Sequence, residues 1–63
     1  MSVGQNIKRA REGANMTQEE LAAKMGIDKS ALCRMEIGTK CLPFERAVQL
    51  SEILNVPLDY FKE

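Results

Sequence analysis

Aromatic residues, histidine and cysteine are all scarce in this 63-residue chain, which has one Tyr, two Phe, no Trp and no His. The sequence also lacks a glycine-rich phosphate loop and any cluster of acid, base and nucleophile, so we expect no enzyme. The two cysteines, Cys33 and Cys41, are too few for a disulfide scaffold or for a tetrahedral zinc site. We therefore expect no metal, no other cofactor and a reducing, cytoplasmic location.

Long apolar runs and a net charge are missing as well. No run approaches the roughly 20 residues that cross a bilayer, so we expect no membrane association. Nine Lys and Arg balance nine Asp and Glu, which argues mildly against a nucleic-acid partner. The charges are unevenly placed, however, because residues 1–44 carry two more basic than acidic side chains and residues 45–63 carry two fewer. A polyanion should therefore contact the first two-thirds of the chain. We expect the whole chain, residues 1–63, to form one globular domain.

Residues that begin and end helices predict an all-α fold of five short helices. Capping boxes, in which two side chains satisfy free backbone N–H groups, stand at Ser2/Gln5 and Thr17/Glu20. The other predicted starts are Asp28 as the cap of the third helix, Pro43 as the first residue of the fourth and Pro57 as the start of the fifth. The predicted stops are Gly13 with Asn15, Gly26, Gly38 and Asn55.

The stretch from residue 18 to residue 36 is the most informative part of the sequence. Small Ala22 allows a second helix to cross closely, and Gly26 permits a sharp reversal of the chain. Ile27, Leu32 and Met35 then hold the next helix against the core. Two short helices at a steep angle, with the second exposed, form a helix-turn-helix.

The chain also resembles the lambda-repressor-like helix-turn-helix family, which includes the Cro, repressor and XRE proteins. The resemblance runs from about residue 3 to residue 61. It is carried by Ile7, Arg11, the segment 16–22, Met25-Gly26-Ile27, Ser30, Leu32, Arg34-Met35-Glu36, Gly38 and the segment 54–59. It implies a compact five-helix domain that binds duplex DNA as a homodimer, with helices two and three forming the helix-turn-helix.

The resemblance also implies roles for individual residues. The third helix, residues 29–36, would lie in the major groove and contact bases through Lys29, Ser30, Cys33 and Arg34. Lys29 and Arg34 are able to donate to guanine O6 and N7, and the planar fork of Arg34 suits that edge better.

Phosphate contacts are implied at Gln18, Thr39 and Lys40. Gln18 opens the second helix, where free N–H groups attract an anion. Arg11 and Glu36 resemble a semi-buried structural ion pair that links the first helix to the third. We expect its loss to damage folding more than DNA contact.

Apolar residues depart from the family pattern in and after the third helix. These residues and the apolar side chains near the C-terminus predict an apolar patch that serves as a dimer interface. Its candidates are Ile37, Leu42, Phe44, Leu58, Tyr60 and Phe61, with Tyr60 and Phe61 alternatively belonging to the core.

The function predicted from these features is sequence-specific transcriptional regulation through an operator bound by a homodimer, without an evident small-molecule effector. The alternative is a protein-interaction module, such as an antitoxin, in which DNA binding is secondary. The neutral charge and the apolar loop favour that alternative somewhat.

Overall fold

The computed structural model describes residues 2–39 and 41–61, and within these ranges it contains no strand. Four α-helices follow one another: α1 (Val3–Gly13), α2 (Gln18–Met25), α3 (Lys29–Ile37) and α4 (Phe44–Leu54). A short 3₁₀ helix over Leu58–Phe61 comes last. No helix in the described part of the chain combines the length and apolarity needed to span a membrane.

Both predicted capping boxes are confirmed. The Ser2 hydroxyl accepts from the Gln5 backbone N–H at 3.2 Å, and the Gln5 side chain accepts in return from the Ser2 N–H. Thr17 and Glu20 make the same reciprocal pair at 3.1 and 2.9 Å. Two otherwise unpaired N–H groups are thereby satisfied at the start of each helix, which fixes where α1 and α2 begin.

Two predictions about the helices need correction, and a third is confirmed in part. The fifth helix is not an α-helix but a single 3₁₀ turn, in which the Tyr60 N–H donates to the Pro57 carbonyl at 3.0 Å. Four residues are too few to sustain an α-helix. Pro43 is the residue before α4 rather than its first residue, and Pro57 likewise precedes the 3₁₀ helix. Asp28 does precede α3, but its carboxylate makes no hydrogen bond to the helix.

The core lies where all four helices meet. Its fully buried side chains come one from each helix and are Ile7, Leu21, Leu32 and Leu50. Around them pack the other buried apolar residues, which are Ala10, Ala22, Met25, Met35, Ala47, Leu54 and Phe61. The 3₁₀ turn thus closes the core by inserting Phe61, which is 5% exposed.

Gly4 sets the closest approach between α1 and α3. A Cβ atom placed on Gly4 would overlap the Glu36 carbonyl oxygen and would come within 2.7 Å of the Met35 carbonyl oxygen. Both obstacles are backbone atoms of the last turns of α3, which cannot rotate away. The absence of a side chain at residue 4 therefore determines how α3 sits against the rest of the fold.

Candidate nucleic-acid interface

The connection between α2 and α3 is a tight turn at Gly26. Gly26 adopts a left-handed conformation with φ of 72°, which is costly for residues that carry a Cβ. The N–H of Ile27 donates back to the Ala22 carbonyl at 3.0 Å, so α2 ends there and the chain reverses. Ala22 is 2% exposed, as expected for a small residue at a close helix contact.

The two faces of α3 differ sharply in burial. Leu32, Met35 and Glu36 are buried against the other helices. The predicted base-contacting residues occupy the opposite side: Lys29, Ser30 and Arg34 are exposed and Cys33 is half-buried. Residues four apart share one side of a helix, so 29 and 33 form one row and 30 and 34 the adjacent row.

Ile37 continues the row of Lys29 and Cys33, and it is 67% exposed. The helical repeat therefore puts this dimer-interface candidate on the outer side of α3. A single exposed apolar side chain is common on protein surfaces, so Ile37 does not define an interface by itself.

A buried ion pair fastens the inner side of α3 to α1. Arg11 Nε lies 2.7 Å from Glu36 Oε2, and the two side chains are only 10% and 3% exposed. A second bond joins Arg11 Nη2 to Glu36 Oε1, and Arg11 Nη1 donates to the Met16 carbonyl at 2.9 Å. The pKa of the Arg11 guanidinium is raised, chiefly by its hydrogen bond to Glu36. Arg11 therefore stays charged, and its position deep in the fold points to structure rather than to DNA contact.

Gln18 is tied into the same network. Its side-chain Nε2 donates to Glu36 Oε1 at 3.0 Å, so one N–H of the amide faces inward. An amide NH₂ has two donors, and the second stays available for a phosphate oxygen at the start of α2. The sequence alone gave no sign that Gln18 contacts Glu36, since the two residues are 18 positions apart.

Thr39 follows the left-handed Gly38 that ends α3. Both its backbone N–H and its hydroxyl donate to the Arg34 carbonyl, at 3.0 and 3.3 Å. A hydroxyl has one proton, so Thr39 has to break this bond before it donates to a phosphate. Lys40, the other loop residue predicted to contact phosphate, lies outside the described residues.

A protein-family model described as helix-turn-helix matches residues 7–61 of this chain. The chain belongs to the XRE-type helix-turn-helix family. The match includes most of α1 and all of α2, the turn at Gly26, α3, α4 and the 3₁₀ helix. The family assignment therefore covers the whole helix-turn-helix and the helices that pack against it.

Curated relatives of this helix-turn-helix chain include proteins named as transcriptional regulators. An uncharacterized HTH-type transcriptional regulator of Bacillus subtilis, YqaE, is 34% identical over 56 residues, covering 89% of this chain and 48% of that protein. The HTH-type transcriptional regulator ImmR of the same organism is 35% identical over 60 residues, covering 95% and 47%. An uncharacterized HTH-type regulator of Sinorhizobium medicae is 36% identical over 61 residues, covering 97% and 44%. The chain thus spans about half the length of the curated relatives it matches.

One contact at the outer edge of the helix-turn-helix was not predicted. The Lys29 ammonium lies 3.8 Å from Glu19 Oε1, across the turn between α3 and α2. Glu19 lies in the first turn of α2, where a negative charge is favoured by the helix dipole. A pair ten residues apart has no local sequence signal, and only the tertiary arrangement of the two helices reveals it.

The apolar residues predicted as a dimer interface do not form one uniform group. Phe61 is 5% exposed and packs in the core, in agreement with the alternative interpretation of this residue. Leu42, Leu58 and Tyr60 are half-buried against the core. Phe44, by contrast, is 70% exposed and is the most exposed large apolar side chain of the described residues.

Proposed function

We propose that this chain is a sequence-specific DNA-binding transcriptional regulator that inserts α3 into the major groove. The observation that carries the proposal is the polar, outward side of α3, where no element of the described chain covers Lys29, Ser30 or Arg34. A major groove about 12 Å wide admits an α-helix, and the N-terminal residues of such a helix reach the base edges. The names of the relatives agree with this function.

Base recognition is assigned to the outer rows of α3. Arg34 donates two N–H groups to guanine O6 and N7, while Lys29 supplies a more mobile point charge to the same acceptors. Ser30 and Cys33 are shorter and contact whichever base edge or methyl group lies beside them. Ile37, at the end of the same side, is suited to an apolar contact with a thymine methyl group.

Phosphate contacts orient the helix and do not specify sequence. Gln18 is assigned to one phosphate through the amide proton that Glu36 leaves unused, supported by the positive end of α2. Thr39 and Lys40 are assigned to further phosphates after α3. Gln18 and Thr39 are uncharged and do not contribute to the salt dependence. With about three phosphates neutralised by lysine and arginine side chains of each of two subunits, the logarithm of the affinity should fall against the logarithm of salt with a slope of about −5.

The experiment that tests the proposal is removal of the two basic side chains from α3. The Lys29→Ala, Arg34→Ala double variant should lose at least about 30-fold in affinity for a duplex selected from a random pool, since each guanine contact contributes about 1–3 kcal/mol. The matched control, Lys8→Ala with Lys24→Ala, removes two exposed positive charges outside α3. Fluorescence anisotropy measures binding, and circular dichroism shows whether each variant is folded.

Equal losses in the two double variants would mean that only the total charge matters. Unchanged binding by a folded Lys29/Arg34 variant would show that α3 is not the reading helix.

A homodimer is proposed for the bound state, with recognition helices about 34 Å apart, one turn of B-DNA. Exposed Phe44 is its proposed apolar anchor, and the half-buried residues Leu42, Leu58 and Tyr60 remain further candidates for the interface. Phe44→Ala should weaken self-association measured by sedimentation and make DNA binding more dependent on protein concentration. Because Phe44 contributes little to the core, the melting temperature of the Phe44→Ala variant should differ little from that of the wild type. A Phe44→Ala variant that self-associates like the wild type would place the interface elsewhere.

The exposure of Phe44 also supports the second candidate, a module that binds another protein. The salt dependence of duplex binding separates the two. A regulator binds duplex DNA at low salt, and its affinity falls as salt rises. A module that binds only protein shows no change in fluorescence anisotropy with either selected or random duplex.

A further inference from the structure

We propose, building on the proposed function, that Glu19 determines specificity by positioning Lys29 and by discouraging its contact with phosphate. The observation is the ion pair between Glu19 Oε1 and Lys29 Nζ at 3.8 Å, which crosses from the first turn of α2 to the first residue of α3. The pair lies on the edge of the helix-turn-helix that would face DNA.

Lysine without a partner is a poor discriminator. Its ammonium is a compact charge on a flexible stem, and a negatively charged phosphate attracts it more strongly than a neutral guanine edge does. An ammonium has three donors, however. Lys29 is therefore able to donate to Glu19 and still to reach guanine O6 or N7 from the position in which Glu19 holds it.

Phosphate is disfavoured by the same carboxylate. Glu19 is the residue after Gln18, which is the proposed phosphate contact at the start of α2. A phosphate that competes for Lys29 must either separate the ion pair or approach a second negative charge. Like charges at an interface suppress wrong partners, whereas the neutral guanine edge meets no such repulsion.

The effect is modest, because Lys29 and Glu19 are 58% and 78% exposed and water screens their attraction. Loss of the carboxylate should strengthen binding to non-selected DNA about two- to fivefold. The freed lysine should then neutralise one more phosphate in each subunit. The salt slope on such DNA should accordingly steepen by about 0.9 per subunit.

The test compares Glu19→Gln with Glu52→Gln, which removes another exposed negative charge, from α4. Each folded variant is titrated with two probes over a range of salt: the duplex that the wild type selects from a random pool, and a scrambled duplex of equal length and composition. Glu19→Gln should tighten binding to the scrambled duplex and steepen its salt slope while changing the selected duplex less. In the Lys29→Gln background, Glu19→Gln should behave like Glu52→Gln.

Identical behaviour of the Glu19 and Glu52 variants would overturn the proposal, because total charge alone would then explain both. An effect of Glu19→Gln that persists without Lys29 would overturn it too. Neither result touches the proposed function, since the wild type still prefers its selected duplex. If the wild type shows no such preference, sequence-specific binding fails and the role of Glu19 fails with it.

Discussion

Replacement of Gly4 by alanine tests how closely α1 approaches α3. Alanine is the better helix former, and inside a helix it is favoured over glycine by about 1 kcal/mol. Residue 4 lies in the first turn of α1, so propensity alone predicts that Gly4→Ala stabilises the fold or leaves it unchanged. The structure predicts the opposite, because the new methyl group would collide with the carbonyl oxygens of Glu36 and Met35.

The size of the loss follows from the nature of the obstacles. Side chains relieve overlap by changing rotamer, but the two carbonyl groups belong to the backbone of α3 and the helices must shift instead. Overpacking of this kind costs about 1–3 kcal/mol. Each kcal/mol lowers the melting temperature of a domain this small by about 4–8 °C, so Gly4→Ala should melt about 5–20 °C below the wild type.

Gly13→Ala is the matched control. Gly13 is the last residue of the same helix, has no positive φ, and has no atom within 4 Å of the position that its Cβ would take. That variant should melt at or slightly above the wild-type temperature when unfolding is followed by circular dichroism. If Gly4→Ala also melts at or above the wild type, the close α1–α3 contact is refuted.

Two further predictions concern stability. Arg11→Ala should lower the free energy of unfolding by about 3–5 kcal/mol, because it leaves Glu36 charged and buried. Apolar residues at both positions should recover much of this loss. An unchanged melting temperature with lost DNA binding would instead make Arg11 a DNA-contacting residue. Gly26→Ala should lower the free energy of unfolding by about 1–2 kcal/mol through its left-handed backbone alone, since the added methyl meets no other part of the fold within 4 Å. Gly26→Asn should lower it less, because asparagine tolerates positive φ. Equal melting temperatures of the two variants would argue against this explanation.

Local chemistry made the helix boundaries predictable. A capping box needs two residues three apart, and the same two residues form it whatever the rest of the chain does. The left-handed stops at Gly26, Gly38 and Asn55 follow equally from single residues that tolerate positive φ. Four helices were therefore readable from the sequence, and the turn that joins α2 to α3 was readable with them.

Contacts between distant residues were much less predictable. The need for glycine at residue 4 arises from two carbonyl groups more than 30 positions away, and no residue beside Gly4 signals it. The pairing of Lys29 with Glu19 and of Gln18 with Glu36 likewise depends on how two helices pack. The Arg11–Glu36 pair was expected only because the family resemblance supplied it, and base and phosphate contacts stay predictions.

The arrangement of contacts around α3 separates stability from recognition. The residues that hold this helix in place, Leu32, Met35 and Glu36, all lie on its inner side. Because none of the proposed base-contacting positions belongs to that set, substitutions there should change the melting temperature little, since surface changes stay within about 0.5 kcal/mol. Substitutions on the outer rows of α3 should therefore alter the proposed DNA recognition while leaving the fold intact.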